Sequence, residues 1–185
     1  MTPFKQALAK TLEHEGGYTI INGHETYRGI DRVYWPDWGG WDIVDDWKDK
    51  LITSEEMNNT LQYEFDEFYR KNFWNRVRGD DVANCSIAVA IELFDTAVNI
   101  GIRTAVRFLQ TAINMQNYHK TYPDLAIDGL IGSKTIAALA RYMDSQPGSR
   151  ERNETILLNC MNGEQYIHYK NNPNHRQFRG WFMRV

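Results

Sequence analysis

Apolar residues recur at helical spacing near the start of the chain and predict a first helix over residues 2–15. The apolar stripe consists of Phe4, Ala7, Leu8, Thr11 and Leu12. Thr2 provides a capping hydroxyl, and Pro3 follows at the first helical position. Gly16 and Gly17 are typical of a helix end.

The same spacing predicts a mainly helical, all-α fold for the rest of the chain. Further helices are predicted over residues 53–71, 83–99, 103–115, 133–143 and 149–170. Thr53 or Ser54 starts the first of these, with Glu56 completing a possible capping box. The helix over 83–99 is apolar on nearly every side, which predicts a central, buried position. Residues 18–50 read as irregular, with room for a short hairpin or short helices, and residues 73–81 read as a loop.

Composition narrows the class of protein. The chain has 185 residues, 42% hydrophobic and 24% charged, so it is expected to be globular with a single sizeable core. The net charge of −3 argues against nucleic acid as the main partner. The most apolar stretch, residues 87–94, is broken by Glu92 and is far shorter than a membrane span. No signal peptide is visible, so we expect the protein to be made in the cytoplasm.

Metal and disulfide chemistry find little support in the sequence. Cys85 and Cys160 are too few for a disulfide framework and lack metal-ligand spacing. Two reduced, buried thiols are the default expectation, with a bridge between them left open. His14-Glu15 begins a zinc-protease pattern, but Tyr18 stands where the second histidine is required. We therefore predict no metal.

Glu15 is the main candidate for chemistry. It lies three residues after Leu12 and so continues the apolar stripe of the predicted helix. Burial and the negative end of the helix dipole would both raise the pKa of its carboxyl group. A carboxyl group that stays protonated near neutral pH can donate a proton to a glycosidic oxygen. The alternative is an ordinary helix-end glutamate that turns out to solvent, and spacing alone leaves both open.

Several segments together resemble a known family. They are LEHEGGY at 12–18, GHETYRGI at 23–30, FYRKNFWNRVRGDDV at 68–82, LFDTAVNIG at 93–101 and GWFMRV at 180–185. The chain resembles glycoside hydrolase family 108, the phage and bacterial N-acetylmuramidases. The pieces AVRFLQTAIN at 105–114 and DGLIGSKTIAAL at 128–139 resemble that family's peptidoglycan-binding region. This chain departs from many relatives at 23–30, where Glu25 is an additional acid.

The resemblance implies a lysozyme-like fold and maps the family's catalytic glutamate onto Glu15. It also implies a catalytic half over residues 1–100 and a peptidoglycan-binding-like half over 101–185. We expect the two halves to pack as one compact unit, because a chain of this length has little room for two independent cores.

Other residues are weaker candidates. Glu25 is predicted to be the second catalytic carboxylate, with a solvated loop acid as the alternative. We also expect substrate to contact the rings of Tyr18 and Tyr27 and the hydroxyl of Thr26. Asp95 and Asn99 continue a polar stripe from Glu92 on the apolar helix, and we expect this stripe to face solvent or line a cleft. A structural hydrogen-bonding role for Asp95 is the alternative.

The favoured function is hydrolysis of the β-1,4 bond between N-acetylmuramic acid and N-acetylglucosamine, without a cofactor. The expected partner is the glycan strand of peptidoglycan, with no nucleic acid partner and no membrane insertion. The protein would reach the cell wall or periplasm after release or export, as a phage endolysin does. Two alternatives stay open: an inactive wall-binding or secretion-associated protein, and a lytic transglycosylase. The oligomeric state does not follow from the sequence.

Overall fold

The structure is a computed structural model that describes residues 1–13, 17–21, 23–145 and 149–173. The helices within this part are α1 (Pro3–Thr11), α2 (Gly40–Lys48), α3 (Ser54–Tyr69), α4 (Gly79–Cys85), α5 (Ile87–Ile100), α6 (Ile102–Met115), α7 (Ser133–Met143) and α8 (Arg150–Asn171). The strands are β1 (Tyr18–Ile21), β2 (His24–Tyr27) and β3 (Ile30–Asp31). The predicted mainly helical fold is confirmed, and residues 18–50 contain both a small sheet and a short helix.

The chain divides into two compact units, which we call the hairpin unit (Leu8–Asn72) and the helical unit (Met1–Ala7 with Phe73–Val185). The hairpin unit contains the antiparallel sheet in the order β1-β2-β3, together with α2 and α3, which pack on each other. Its core is largely aromatic. The buried side chains include Tyr27, Ile30, Trp38, Trp41, Val44, Leu61, Phe65, Phe68 and Tyr69.

The helical unit is organised around α5. Helices α4, α6 and α8 all pack on α5, which explains why its sequence is apolar on nearly every side. Val89, Leu93 and Phe94 are completely buried there. Helix α7 packs against α4, α6 and α8. The prediction of a central, buried helix is therefore confirmed.

Helix boundaries are confirmed where capping signals are strong. Thr53 accepts a hydrogen bond from the backbone N–H of Glu56, and the Glu56 side chain bonds back to Thr53, so the predicted capping box is present. The predicted stripe on α1 is buried, from Phe4 to Leu12. However, α1 ends at Thr11, and Leu12 and Glu13 form a turn, so the prediction of a continuous helix over 2–15 is wrong at residues 12 and 13. Glu15 itself, with His14 and Gly16, lies outside the described residues.

The segment predicted as a loop at 73–81 is largely helical. A short π-helical segment, Arg70–Trp74, follows α3, and α4 begins at Gly79. The indole of Trp74 is buried, donates to Asp80 Oδ1 at 2.9 Å, and lies 2.2 Å from where a Cβ on Gly79 would be. Only glycine fits this close approach. The packing of one tryptophan thus determines a helix start that the periodicity did not indicate.

The two cysteines are free thiols, and Cys85 is buried as expected, whereas Cys160 is only partly buried. No helix among the described residues is long and apolar enough to cross a membrane.

Candidate active site

The sheet of the hairpin unit places Glu25 and Thr26 on opposite faces. Strand pairing sets Tyr18 opposite Tyr27 and Thr26 opposite Asp31. Because side chains alternate along a strand, Glu25 shares a face with Tyr18 and Tyr27, whereas Thr26 shares the other face with Asp31. The two neighbouring candidates therefore cannot act from the same side of the sheet.

Glu25 is held by three side-chain donors. Its carboxylate accepts hydrogen bonds from Tyr18 Oη at 2.8 Å, from Arg32 Nη1 at 2.7 Å and from Lys48 Nζ. The bond from Lys48 is the largest influence on the pKa of Glu25 and, with the other two, lowers it to about 2 against the opposing effect of burial. Glu25 is therefore ionised throughout the pH range in which enzymes of this kind would be assayed.

Asp45 completes this ion-pair network from α2. Arg32 binds Asp45 in a bidentate manner, at 2.8 and 2.7 Å, and Lys48 lies 3.2 Å from the same carboxylate. The bonds from Arg32 are the main reason that the pKa of Asp45 is lowered to about 2. Two carboxylates and two cations thus balance each other, and we define Glu25, Arg32, Asp45 and Lys48 as the carboxylate network.

The carboxylate network was not predicted from the sequence. Asp45 and Lys48 are three residues apart on one helix, which is a weak signal for an ion pair. Arg32 and Glu25 come together because β3 folds back on β2, and a short stretch of sequence does not show this. The partners of Glu25 are therefore a product of the tertiary fold.

The opposite face of the sheet carries a second, smaller polar group. His24 Nδ1 lies 3.1 Å from Asp31 Oδ2, and the Val33 N–H donates to Asp31 Oδ1 at 2.7 Å. Burial raises the pKa of Asp31, but these hydrogen bonds outweigh burial and lower it. Thr26 lies on this face, partly exposed. Asp31 is thus the carboxylate nearest in register to Thr26.

The aromatic side chains of the hairpin unit separate into buried and exposed groups. Tyr27 is only 2% exposed, stacks on Trp38 with centroids 5.8 Å apart, and donates its hydroxyl to Asn58 Oδ1 at 3.2 Å. The position gives Tyr27 a packing role, and substrate contact through it stays a prediction. Tyr18 is partly exposed, with its ring edge against Trp47 at 5.3 Å.

Exposed rings border a groove of about 560 Å³ in the hairpin unit. Tyr34 is 75% exposed and Tyr63 is 69% exposed, and Trp35 also contributes to the lining. Three carboxylates, those of Asp37, Glu64 and Glu67, lie along the same groove. We refer to this feature as the aromatic groove. Exposed aromatic faces beside hydrogen-bond acceptors suit a ligand with both apolar and hydroxyl surfaces, as sugars have.

Asp95 and Asn99 belong to α5 in the helical unit. Asp95 is buried, and Asn99 is exposed and donates its side-chain N–H to the Asp95 carbonyl at 2.8 Å. Glu92, the first member of the predicted stripe, is 5% exposed and accepts a hydrogen bond from Gln165 of α8. The expectation that the stripe faces solvent or a cleft is therefore wrong at Glu92, because this position is covered by α8. Substrate contact by Asp95 and Asn99 stays a prediction.

No group of three His, Cys, Asp or Glu side chains within the described parts of the chain is arranged to hold a metal ion.

A mainly helical chain with a small sheet, an ionised carboxylate near two cations and an exposed aromatic groove fits a carbohydrate-cleaving enzyme. Comparison with known proteins defines the class further. Residues 8–101 match the family model described as Glycosyl hydrolase 108, and residues 104–185 match the model described as Predicted Peptidoglycan domain. The protein is a glycoside hydrolase that acts on peptidoglycan. It belongs to glycosyl hydrolase family 108.

A solved structure, that of SagA from Brucella abortus, has a similar fold. The two chains are 24% identical, the match covers 98% of this chain and 88% of SagA, and the TM-score is 0.62. None of the curated proteins matches the chain. The two family models meet near residues 101–104, whereas the compact units divide at residues 72 and 73. The predicted halves at 1–100 and 101–185, and their packing as one unit, stay predictions.

Proposed function

We propose that this chain is an N-acetylmuramidase that hydrolyses the β-1,4 bond between N-acetylmuramic acid and N-acetylglucosamine, with Glu15 as general acid. The family match over residues 8–101 carries the proposal, because it includes the segment LEHEGGY at 12–18 and so includes Glu15. The wall is reached after release or export, as in phage lysis.

The aromatic groove is the part of the hairpin unit best suited to hold the glycan strand. Tyr34 and Tyr63 expose large apolar ring faces, and sugar rings present apolar C–H faces that stack on such rings. Glu64 and Glu67 supply acceptors for sugar hydroxyls and amides. The rings that are buried, such as Tyr27, instead stabilise the platform that carries the exposed ones.

Glu25 is proposed as the second carboxylate. Glycoside hydrolases that retain or invert configuration usually need an ionised carboxylate to stabilise a developing positive charge, to attack, or to activate water. The low pKa of Glu25 provides that ionised state. Its three donors also hold the side chain in one orientation, which favours a positioned group over a mobile surface acid.

The products of digestion test the reaction directly. Soluble fragments released from purified peptidoglycan should carry N-acetylmuramic acid at the new reducing end, and each cleavage should add one water. Mass spectrometry after borohydride reduction distinguishes the outcomes. Reducing N-acetylglucosamine ends would reassign the bond, and anhydro products lacking the added water would identify a lytic transglycosylase.

Replacement of Glu25 by glutamine is expected to lower turnover by at least about 10²-fold, because an amide cannot supply the negative charge. Asp45→Asn is the matched control, since it removes the other carboxylate of the same network. We expect Asp45→Asn to stay within about fivefold of wild type, roughly 1 kcal/mol in the barrier. Turnover is measured on peptidoglycan with folded protein, and thermal unfolding is followed for both variants.

Equal losses in both variants would mean that Glu25 acts only by holding the network together. Activity of Glu25→Gln near that of wild type would rule Glu25 out as the second carboxylate. Asp31, on the face of the sheet that carries Thr26, would then be the next carboxylate to test.

A further inference from the structure

A cavity of the helical unit lies within the region that matches the peptidoglycan domain model, and residues of the segment DGLIGSKTIAAL line part of it. It has a volume of about 730 Å³, and it is bounded by the loop around residues 122–130 and by one face of α7. This volume is in the range of pockets that bind small molecules and short peptides. We call it the α7 groove.

The wall of the α7 groove is fixed in place by two amide side chains of α6. Gln110 donates to Asp128 Oδ1 at 2.9 Å and accepts from the Gly129 N–H at 2.9 Å. Asn114 likewise both donates to and accepts from the backbone of Leu125, each at 2.8 Å. Because both amides are satisfied in both directions, the loop is held in a single conformation. The groove is therefore preformed, so a ligand need not order it on binding.

The α7 side of the groove has a regular pattern. Lys134, Ala137, Ala138 and Arg141 all line it, at spacings of three, one and three residues. These positions share one face of the helix. The two small alanines leave room for a ligand in the middle, and a cation stands at each end. Seven residues of helix separate the two cations by about 10 Å along the axis.

The two walls of the groove carry opposite charges, since Lys134 and Arg141 lie on α7 whereas Asp124 and Asp128 lie on the loop. Neither Lys134 nor Arg141 forms an ion pair with any residue that the structure describes, and Arg141 makes only a long contact of 3.4 Å with the Thr121 carbonyl. The acids on the loop wall are held by neutral amide donors, which fix their positions but leave their charge in place. Asp124 accepts from Asn117 at 2.9 Å, and Asp128 accepts from Gln110. The carboxylates of a ligand would thus be drawn to the α7 wall, where the two cations lie, and repelled by the loop wall, where Asp124 and Asp128 lie.

We propose that the α7 groove binds the stem peptide of peptidoglycan, with Lys134 and Arg141 each pairing with a carboxylate of that peptide. This inference rests on the proposed function only in taking peptidoglycan as the substrate. Stem peptides are short, acidic and rich in alanine, whereas the rings of the glycan strand are uncharged. An extended peptide advances about 3.3 Å per residue, so carboxylates two residues apart are separated by about 7 Å, which the long side chains of Lys134 and Arg141 can reach together. Alanine methyl groups fit over Ala137 and Ala138.

With this site, the enzyme would bind both parts of its polymer, the glycan strand and the stem peptide. The hairpin unit carries the groove suited to sugars, and the helical unit carries the groove suited to peptide. Each exposed ion pair contributes little alone, so the selectivity comes from two pairs engaged together at a fixed separation.

Binding of a soluble stem tetrapeptide to the full-length protein tests the proposal. The tetrapeptide is released from purified peptidoglycan by an amidase, and binding is followed by NMR titration. The double variant Lys134→Gln/Arg141→Gln should bind the peptide at least about tenfold more weakly than wild type. Arg107→Gln is the matched control, because Arg107 is an exposed cation on α6 that does not line the groove. It should bind as wild type does.

Cleavage assays separate this proposal from the proposed function. The double variant should lose activity on intact peptidoglycan but cleave peptide-free glycan strands as fast as wild type. Wild type that cleaves neither substrate would overturn the proposed function, and the binding result would still stand. Failure of wild type to bind the tetrapeptide at millimolar concentration, or equal binding by the double variant, would overturn the stem-peptide site.

Discussion

Folded Glu15→Gln is expected to lose about 10²–10⁴-fold in turnover on peptidoglycan, or roughly 3–5 kcal/mol of transition-state stabilisation. Glutamine keeps the size and hydrogen-bonding capacity of the side chain but has no proton to deliver to the leaving oxygen. The residue lies outside the described residues, so the expectation rests on its place in the segment LEHEGGY within the matched family region.

Glu13→Gln is the control for this experiment. Glu13 is an exposed acid two residues away, so the substitution makes the same chemical change in the same segment. Turnover of Glu13→Gln should stay close to that of wild type. Near-wild-type turnover in folded Glu15→Gln would show that Glu15 is not the acid, whatever the control does.

The pH dependence of wild type supplies a second measure of the same assignment. A general acid must be protonated, so the rate should fall on the alkaline side as Glu15 ionises. Glu25 cannot cause that fall, because its pKa of about 2 leaves it ionised on both sides of neutrality. An alkaline limb that is unchanged in the residual activity of Glu15→Gln would contradict the assignment.

The sequence predicts most helices well because their periodicity reflects burial on one face. Helices α6, α7 and α8 begin and end within a residue of the predicted bounds. The boundary between α4 and α5 was missed. Ser86 interrupts the apolar run there with an extended backbone, and its hydroxyl accepts from the Val89 N–H to cap α5. In the sequence alone, a serine inside an apolar run is easily taken for a polar residue within one continuous helix. Its role as a helix cap becomes clear only when α4 is known to end before it.

The candidate site was less predictable because its contacts are tertiary. Glu25 was recognised as an extra acid, but its bond to Lys48 joins residues 23 positions apart. The opposite orientations of Glu25 and Thr26 follow from strand alternation, which could be used only once the hairpin was established. The α7 groove likewise depends on tertiary contacts that the sequence does not show. In the sequence, Lys134 and Arg141 look like ordinary exposed cations. Only the structure shows that Ala137 and Ala138 line a cavity between them.

A fragment of residues 1–100 is expected to have no cooperative fold and no activity. The fragment keeps α5 but removes α6 and α8, both of which pack on it. Val89, Leu93 and Phe94 are completely buried in the full chain and would lose much of their cover. Full exposure of three such side chains costs about 5–9 kcal/mol. That is comparable to the whole stability of a typical domain, about 5–15 kcal/mol.

A polar contact worsens the loss in the same fragment. Glu92 is buried and accepts a hydrogen bond from Gln165 of α8, so its carboxylate would lose a partner when α8 is removed. Thermal unfolding by circular dichroism, size-exclusion chromatography and cleavage of peptide-free glycan are measured beside the full-length chain. The peptide-free substrate is used because the α7 groove then cannot contribute to the difference in activity between the fragment and the full-length chain. A soluble 1–100 fragment that unfolds cooperatively and cleaves this substrate would show that the catalytic half folds alone, and that α6 and α8 are dispensable to α5.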